Sequence, residues 1–270
     1  MLKSKSINIH HFMVTEEKRS AYRQAGKKSE FKLDVEEMSQ AGLHFGHRTF
    51  RVNPKMKPYI FGVRNGVHII DLEKTKEKLE EALKFIQALI AENKTLLIVG
   101  TKVQAGDLVK EIAKECDLFY VTERWLGGTF TNFETILKRL VSFKDLEAKK
   151  ASGDLEKYTK KERAKFDQKL KDFEIKFGGI KNMQRIPDAI FVLDMKKDAL
   201  AVKEARTKGV KIIAIAHTNV DPALADFPIP ANDDSGPSLK YILEKTKETI
   251  LKVRPARNAF GIADAGGPKS

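Results

Sequence analysis

Apolar and polar positions alternate along this chain in two distinct rhythms. Four short, nearly unbroken apolar runs stand out: Thr95–Val99, Leu118–Val121, Ala189–Leu193 and Val210–Ala216. Runs of this length, rich in Val and Ile and bounded by glycine or charge, predict strands buried on both faces of a parallel sheet. Val67–Asp71 predicts a further strand. Between these runs the spacing changes to three and four. Leu79, Leu83, Ile86 and Ile90 predict a helix over 73–92, and Leu108, Ile112 and Cys116 one over 103–116. Helices are also expected around 199–208, which Gly209 would end, and from Ser238 to about Lys252. Asp34 followed by Glu37, with Gly42 beyond, predicts a short helix with an N-cap and a glycine stop. Strands alternating with helices imply an α/β domain with a parallel sheet covered on both faces.

The alternation breaks between Thr131 and Phe177. Phe133, Ile136, Leu140 and Phe143 follow helical spacing, and so do Phe166, Leu170, Phe173 and Phe177. Ala151–Asp154 between them is a turn signal, and Thr159 with Glu162 has the form of a capping box. This segment reads as an antiparallel helical hairpin joined by a narrow apolar seam. Gly127–Gly128 precedes it and Gly178–Gly179 follows it, as expected for an insertion. The expected organisation is a basic, disordered arm over 1–33, an α/β domain from 34–130 and 178–253, the hairpin over 131–177 and a flexible tail over 254–270.

Charge narrows the function. Fifty Lys and Arg against 37 Asp and Glu give a formal net charge of +13, a field that attracts polyanions. No apolar run approaches the roughly 18 residues of a membrane span, and no membrane partner is expected. The single cysteine, Cys116, excludes an intrachain disulfide and fits a buried thiol in a reducing compartment. The hairpin carries 14 basic against 9 acidic residues over 131–181, which suits an arm laid on RNA or protein.

Enzyme chemistry finds little support. The turn Gly100–Gly106 is neither G-x-G-x-x-G nor a P-loop, although amides there would still suit a phosphate. His217 follows a strand end, where α/β enzymes place their chemistry, but His217–Pro222 suits a turn equally. No catalytic residue and no cofactor is expected. His44 and His47 in HFGH read as structural or contact residues, with a shared metal as the lesser alternative. By contrast, Arg48, Arg51, Lys55, Lys57 and Arg64 lie in a loop-like segment without a single acid, interleaved with Phe50, Tyr59 and Phe61. Cations supply phosphate contacts and aromatics stack on unpaired bases, so these residues are the principal RNA-binding candidates. Lys102 and Arg124 join them. Trp125 reads as a core anchor at the hairpin base, or as a protein contact with His44 and His47.

The longer motifs carry a resemblance. AGLHFGHRTFRVNPKMKPYIFGVRNGVHIIDLEKT (41–75) and ERWLGGTFTNFETI (123–136) are similar to the two signatures of the bacterial-type small ribosomal subunit protein S-two family. GGIKNM and PDAIFVLD (178–194), HTNVDP (217–222) and FPIPANDD (227–234) extend the match over roughly 36–252. The resemblance implies a Rossmann-like, flavodoxin-like parallel sheet with a protruding coiled-coil hairpin. It also implies a structural role on small-subunit rRNA, beside neighbouring small-subunit proteins including ribosomal protein S-one. The setting would be a cytoplasmic ribosome, with an organellar one left open. The long arm departs from the family's pattern, as do His217 in place of a common acid, Ala231 in place of Gly, and 235–237. The rival reading is a nucleotide- or phosphate-binding α/β enzyme.

Overall fold

The computed structural model describes residues 31–253. The expectations for the arm up to residue 30 and for the tail from 254 fall outside the described residues. A compact unit begins at Leu33, which is buried, so the globular part starts slightly earlier than residue 34.

Helix α1 spans Val35–Gln40. Its Asp34 N-cap carboxylate accepts from the Glu36 amide at 3.0 Å, and Gly42 takes φ +76° after its end. Three strands follow: β1 Phe45–Arg48, β2 Ile60–Arg64 and β3 Val67–Ile70. They form an antiparallel sheet in the order β1-β3-β2, with a 3₁₀ turn at Pro54–Tyr59 between the first two. The basic segment is therefore not a loop. Its glycines, prolines and asparagines mark the turns of a small sheet, and Asn65 and Gly66 both take positive φ at the tight β2–β3 turn.

The second sheet is the expected parallel one. Helix α2 (Leu72–Ala91) leads into β4 (Leu96–Val99), α3 (Val103–Glu115) and β5 (Phe119–Val121). After the long helices α4 (Phe133–Ala151) and α5 (Lys160–Phe177) come β6 (Ala189–Val192), α6 (Ala199–Lys208), β7 (Lys211–Ala216), β8 (Phe227–Pro230) and α7 (Gly236–Val253). The order is β5-β4-β6-β7-β8, all parallel. Counted within the sheet this is 2-1-3-4-5, the flavodoxin-like arrangement. Strand β8 carries Pro228 and Pro230, which sequence reasoning did not read as a strand. Proline lacks an amide for the ladder, and β8 is an edge strand, where that loss is tolerated.

Both faces of the parallel sheet are covered. Helices α2, α3 and α7 pack together on one side. On the other, Leu97, Val99, Ile190, Val192 and Ile212 join one apolar cluster with Phe130, Ile136, Phe143 and Phe177. The seam between α4 and α5 is thus continuous with the sheet core. Phe143 and Phe173 meet at 5.6 Å between ring centroids, and Lys150 pairs with Asp167 at 2.6 Å. The capping box holds: the Glu162 carboxylate accepts from the Thr159 amide at 3.0 Å. The glycine pairs serve two different needs. Gly128 takes φ +90°, while a Cβ on Gly179 would collide with the Tyr120 carbonyl oxygen.

Candidate nucleic-acid interface and an adjoining polar cluster

The carboxyl ends of four adjacent parallel strands converge on one polar cluster. Lys102 follows β4, Asp194 follows β6, His217 follows β7, and Asp233 and Asp234 follow β8. The Lys102 ammonium lies 3.0 Å from Asp194, 2.9 Å from Asp233 and 2.8 Å from Asp234. Burial works against its charge, but the Asp234 hydrogen bond and the Asp233 charge prevail and hold its pKa well above the ordinary lysine value. Burial, reinforced by the Asp194 charge, pushes the Asp233 carboxyl up to about 7. Lys102 was expected to offer a cation to RNA; here it is enclosed by carboxylates.

His47, from β1, enters this cluster from above. Its Nδ1 lies 3.0 Å from His217 Nε2, and Asp234 Oδ2 stands 4.0 Å from both nitrogens. Burial, with the neighbouring His47 second, lowers the His217 pKa to about 3, so its imidazole is neutral at physiological pH. Burial also lowers the His47 pKa. His44 takes a different course. It is buried against Phe45, its own pKa is lowered by burial, and it does not join His47. The helical spacing that would have paired them is absent, because His47 lies in a strand.

The loop 217–221 fixes the basic segment in place. The His47 amide donates to Thr218 Oγ1 at 3.0 Å, and the Asn53 amide donates to the Thr218 carbonyl at 2.8 Å. Lys55 pairs with Asp221 at 2.6 Å. Gly46 permits the approach: a Cβ there would lie 2.8 Å from both the His68 carbonyl oxygen and the Thr218 methyl. What this anchoring presents is cationic and aromatic. Arg48, Arg51, Lys57 and Arg64 are exposed and have no carboxylate partner among the described residues. Arg48 and Arg64 both register on Val67, so they flank one row of the sheet, about 9.6 Å apart across two strand spacings. Phe50 is 72% exposed with the Arg51 guanidinium over its ring, and Phe45, Phe61 and Val63 are also exposed.

Residues 38–252 match the family described as Ribosomal protein S2. The chain belongs to that family. It is also similar to the small ribosomal subunit protein uS2 of Roseiflexus sp. (strain RS-1), with 45% identity over 228 residues, 84% of this chain and 87% of that relative. Membership supports a structural role in the ribosome.

Two further positions of this S2 family chain are settled by packing. Trp125 is a core residue, 5% exposed and edge-on to Phe130 at 4.9 Å, while Arg124 beside it is exposed. The loop they occupy is held by Glu204, a buried carboxylate on α6. It accepts from the amides of Gly128 at 2.7 Å, Phe130 at 2.9 Å and Thr131 at 3.3 Å. Nothing in the sequence marks Glu204, which sits among ordinary charged helix positions. Asp194 and Asp233 were missed for the same reason: a carboxylate after a strand looks like a solvated loop residue until the strand ends converge.

Proposed function

We propose that this chain is a non-enzymatic protein of the small ribosomal subunit that docks on small-subunit rRNA through its three-stranded sheet. The observation that carries this is the set of cations without a carboxylate partner among the described residues, Arg48, Arg51, Lys57 and Arg64, beside exposed Phe45, Phe50 and Phe61. Arginines at this spacing suit phosphates, and exposed rings suit unstacked bases. Lys55 is tied to Asp221 and acts in positioning. Arg124, exposed after β5, is a separate candidate phosphate contact. The helices α4 and α5 we read as an inserted antiparallel coiled-coil hairpin over 131–177. Its cationic surplus serves rRNA or neighbouring small-subunit proteins, ribosomal protein S-one among them, on a cytoplasmic ribosome.

The rival reading, a phosphate-dependent α/β enzyme, would place its ligand at the strand ends. Three carboxylates stand there, and they repel a phosphate. The test is the salt dependence of rRNA binding. Changing Arg48, Arg51 and Arg64 together to Gln should flatten the slope of log K against log salt. The expected change is about 0.7–0.9 for each phosphate that is no longer neutralised. Exchange of Lys203, Lys208 and Lys211, exposed on α6 and at the start of β7, serves as the control. An unchanged slope in the arginine variant refutes this surface.

A further inference from the structure

The solvent face of the three-stranded sheet keeps one place open that neither backbone nor packing requires. In the order β1-β3-β2, Phe45 and Gly62 both register on Ile69, while Arg48 and Arg64 both register on Val67. Registered residues share a face, so Phe45, Ile69 and Gly62 form one row and Arg48, Val67 and Arg64 the next, about 6.7 Å further along β3. His68 and Ile70 are buried on the opposite face, which makes this the outward one. We propose that the row Phe45–Ile69–Gly62 is a stacking seat for one unpaired RNA base, with the adjoining phosphates held by Arg48 and Arg64. The inference rests on the rRNA reading above and narrows it from RNA in general to unpaired segments.

Gly62 carries the argument. A Cβ there would meet no heavy atom within 4 Å among the described residues, so no neighbour needs the side chain to be missing. Its backbone is not left-handed either, unlike that of Gly66 at φ +73°. The register shifts between Ile60 and Gly62, but a bulge calls for glycine only at a left-handed position. Glycine inside a strand costs stability and forgoes a side chain that would pack across Ile69, where β-branched residues are the usual occupants. Such a glycine is expected where another molecule comes close to the strand.

The surroundings select the occupant. No Asp or Glu occurs from 41 to 70, and Arg48, Arg51, Lys57 and Arg64 are exposed without a carboxylate partner among the described residues, so the occupant is anionic. The floor is apolar. Phe45 is 48% exposed, with its ring 4.0 Å from that of His44, and Val67 and Ile69 are partly buried. A duplex offers phosphates and sugars but keeps its base faces stacked inside, so it would satisfy the cations and leave the floor in contact with water. An unpaired nucleotide brings a π-face to the floor and phosphates to the guanidiniums at once. An acidic peptide matches the charge, yet its carboxylates would settle on the cations and bring no flat ring to the open place over Gly62. Two strand spacings of about 4.8 Å separate the outer strands, room for a single base between the two arginines.

The experiment uses full-length protein and fluorescence anisotropy. The probes are a short unstructured RNA strand and the same strand paired to its complement, at salt high enough to suppress non-specific attraction. The parent should bind the single strand more tightly than the duplex. Gly62→Val changes no charge and adds a strand-forming side chain in open space, so it should melt no lower than the parent. It should weaken the single strand about 5–150-fold, the loss for one stacked base, and leave the duplex affinity unchanged. Phe45→Leu should act in the same direction, by at least about fivefold, and decides the matter if Gly62→Val folds poorly. The exchange of Arg48, Arg51 and Arg64 for Gln should weaken both RNAs. A flattened salt slope in that variant, beside single-strand binding that Gly62→Val leaves intact, ends the stacking seat alone; an unchanged slope ends the rRNA surface with it. The seat is also refuted if the parent prefers the duplex, if Gly62→Val weakens both RNAs equally, or if polyglutamate of equal charge displaces the single strand as well as unlabelled RNA does.

Discussion

Lys102 shows how far a residue's meaning depends on its neighbours. In sequence it is a cation after a strand; in the fold it pairs with Asp194, Asp233 and Asp234 together. Lys102→Met should therefore destabilise the protein at pH 8 by about 3 kcal/mol, the cost of leaving buried charge without its partner. The loss should shrink toward pH 5, because Asp233 can take up a proton instead. Urea melts at the two pH values decide it; an equal loss at both would refute the account. His217 gives a prediction of opposite sign. Its pKa in the folded state, about 3, lies below its ordinary value of 6.5, so the unfolded chain binds the extra proton between those values and stability falls on acidification. Asp233, at about 7 against 3.8, works the other way, gaining stability as pH falls through 7 toward 4. His217→Asn removes the first contribution only. Its stability should then rise on acidification from pH 6.5 to 4 relative to the parent, by a slope approaching 1.4 kcal/mol per unit, the value for one proton. Parallel pH profiles would rule this out.

Among the elements, strand β1 is the most exacting. It lies flat against the end of β7 only because position 46 has no side chain. Gly46→Ala forces a methyl against the His68 carbonyl and the Thr218 methyl, and should cost about 1–3 kcal/mol. It should also separate His47 from His217 and weaken rRNA binding, although no charge is changed. Thermal melts and the salt titration on one preparation test both consequences. The α4 entry loop rests on Glu204 in a similar way. Glu204→Gln replaces one accepting oxygen with an NH2 donor, so at least one of the three amides loses its acceptor, and should cost about 1.5–3 kcal/mol. A loss below about 0.5 kcal/mol would show that water replaces the carboxylate there.

For the whole molecule, the question is whether α4 and α5 are an appendage. Their seam continues into the sheet core through Ile136, Phe177 and Ile180. Removing 133–176 and bridging the gap with a Gly/Ser linker should leave a cooperative fold, since the strands close without these helices. The uncovered sheet face should lower stability by several kcal/mol, in the range of one or two truncated core aromatics. Incorporation into small subunits should fall further than stability does. Circular dichroism melts with gradient fractionation distinguish the outcomes; an unfolded remainder, or undiminished incorporation, would end the division between core and arm.

The chain's own pattern determined the parallel sheet, because strands buried on both faces must be apolar throughout, and four of its five strands are legible for that reason. It also determined the helix spans and caps, which depend on local spacing and on Asp34, Thr159 and Gly209. Strand β8 escaped notice because its prolines are acceptable only at an edge, and an edge is a property of the sheet. The basic surface is legible as composition but reads as a loop, since four- and five-residue strands broken by glycine carry little periodicity. The polar cluster was decided by the tertiary structure alone. Its residues, from His47 to Asp234, come from strand β1 and from the ends of four parallel strands, and only strand order brings them together.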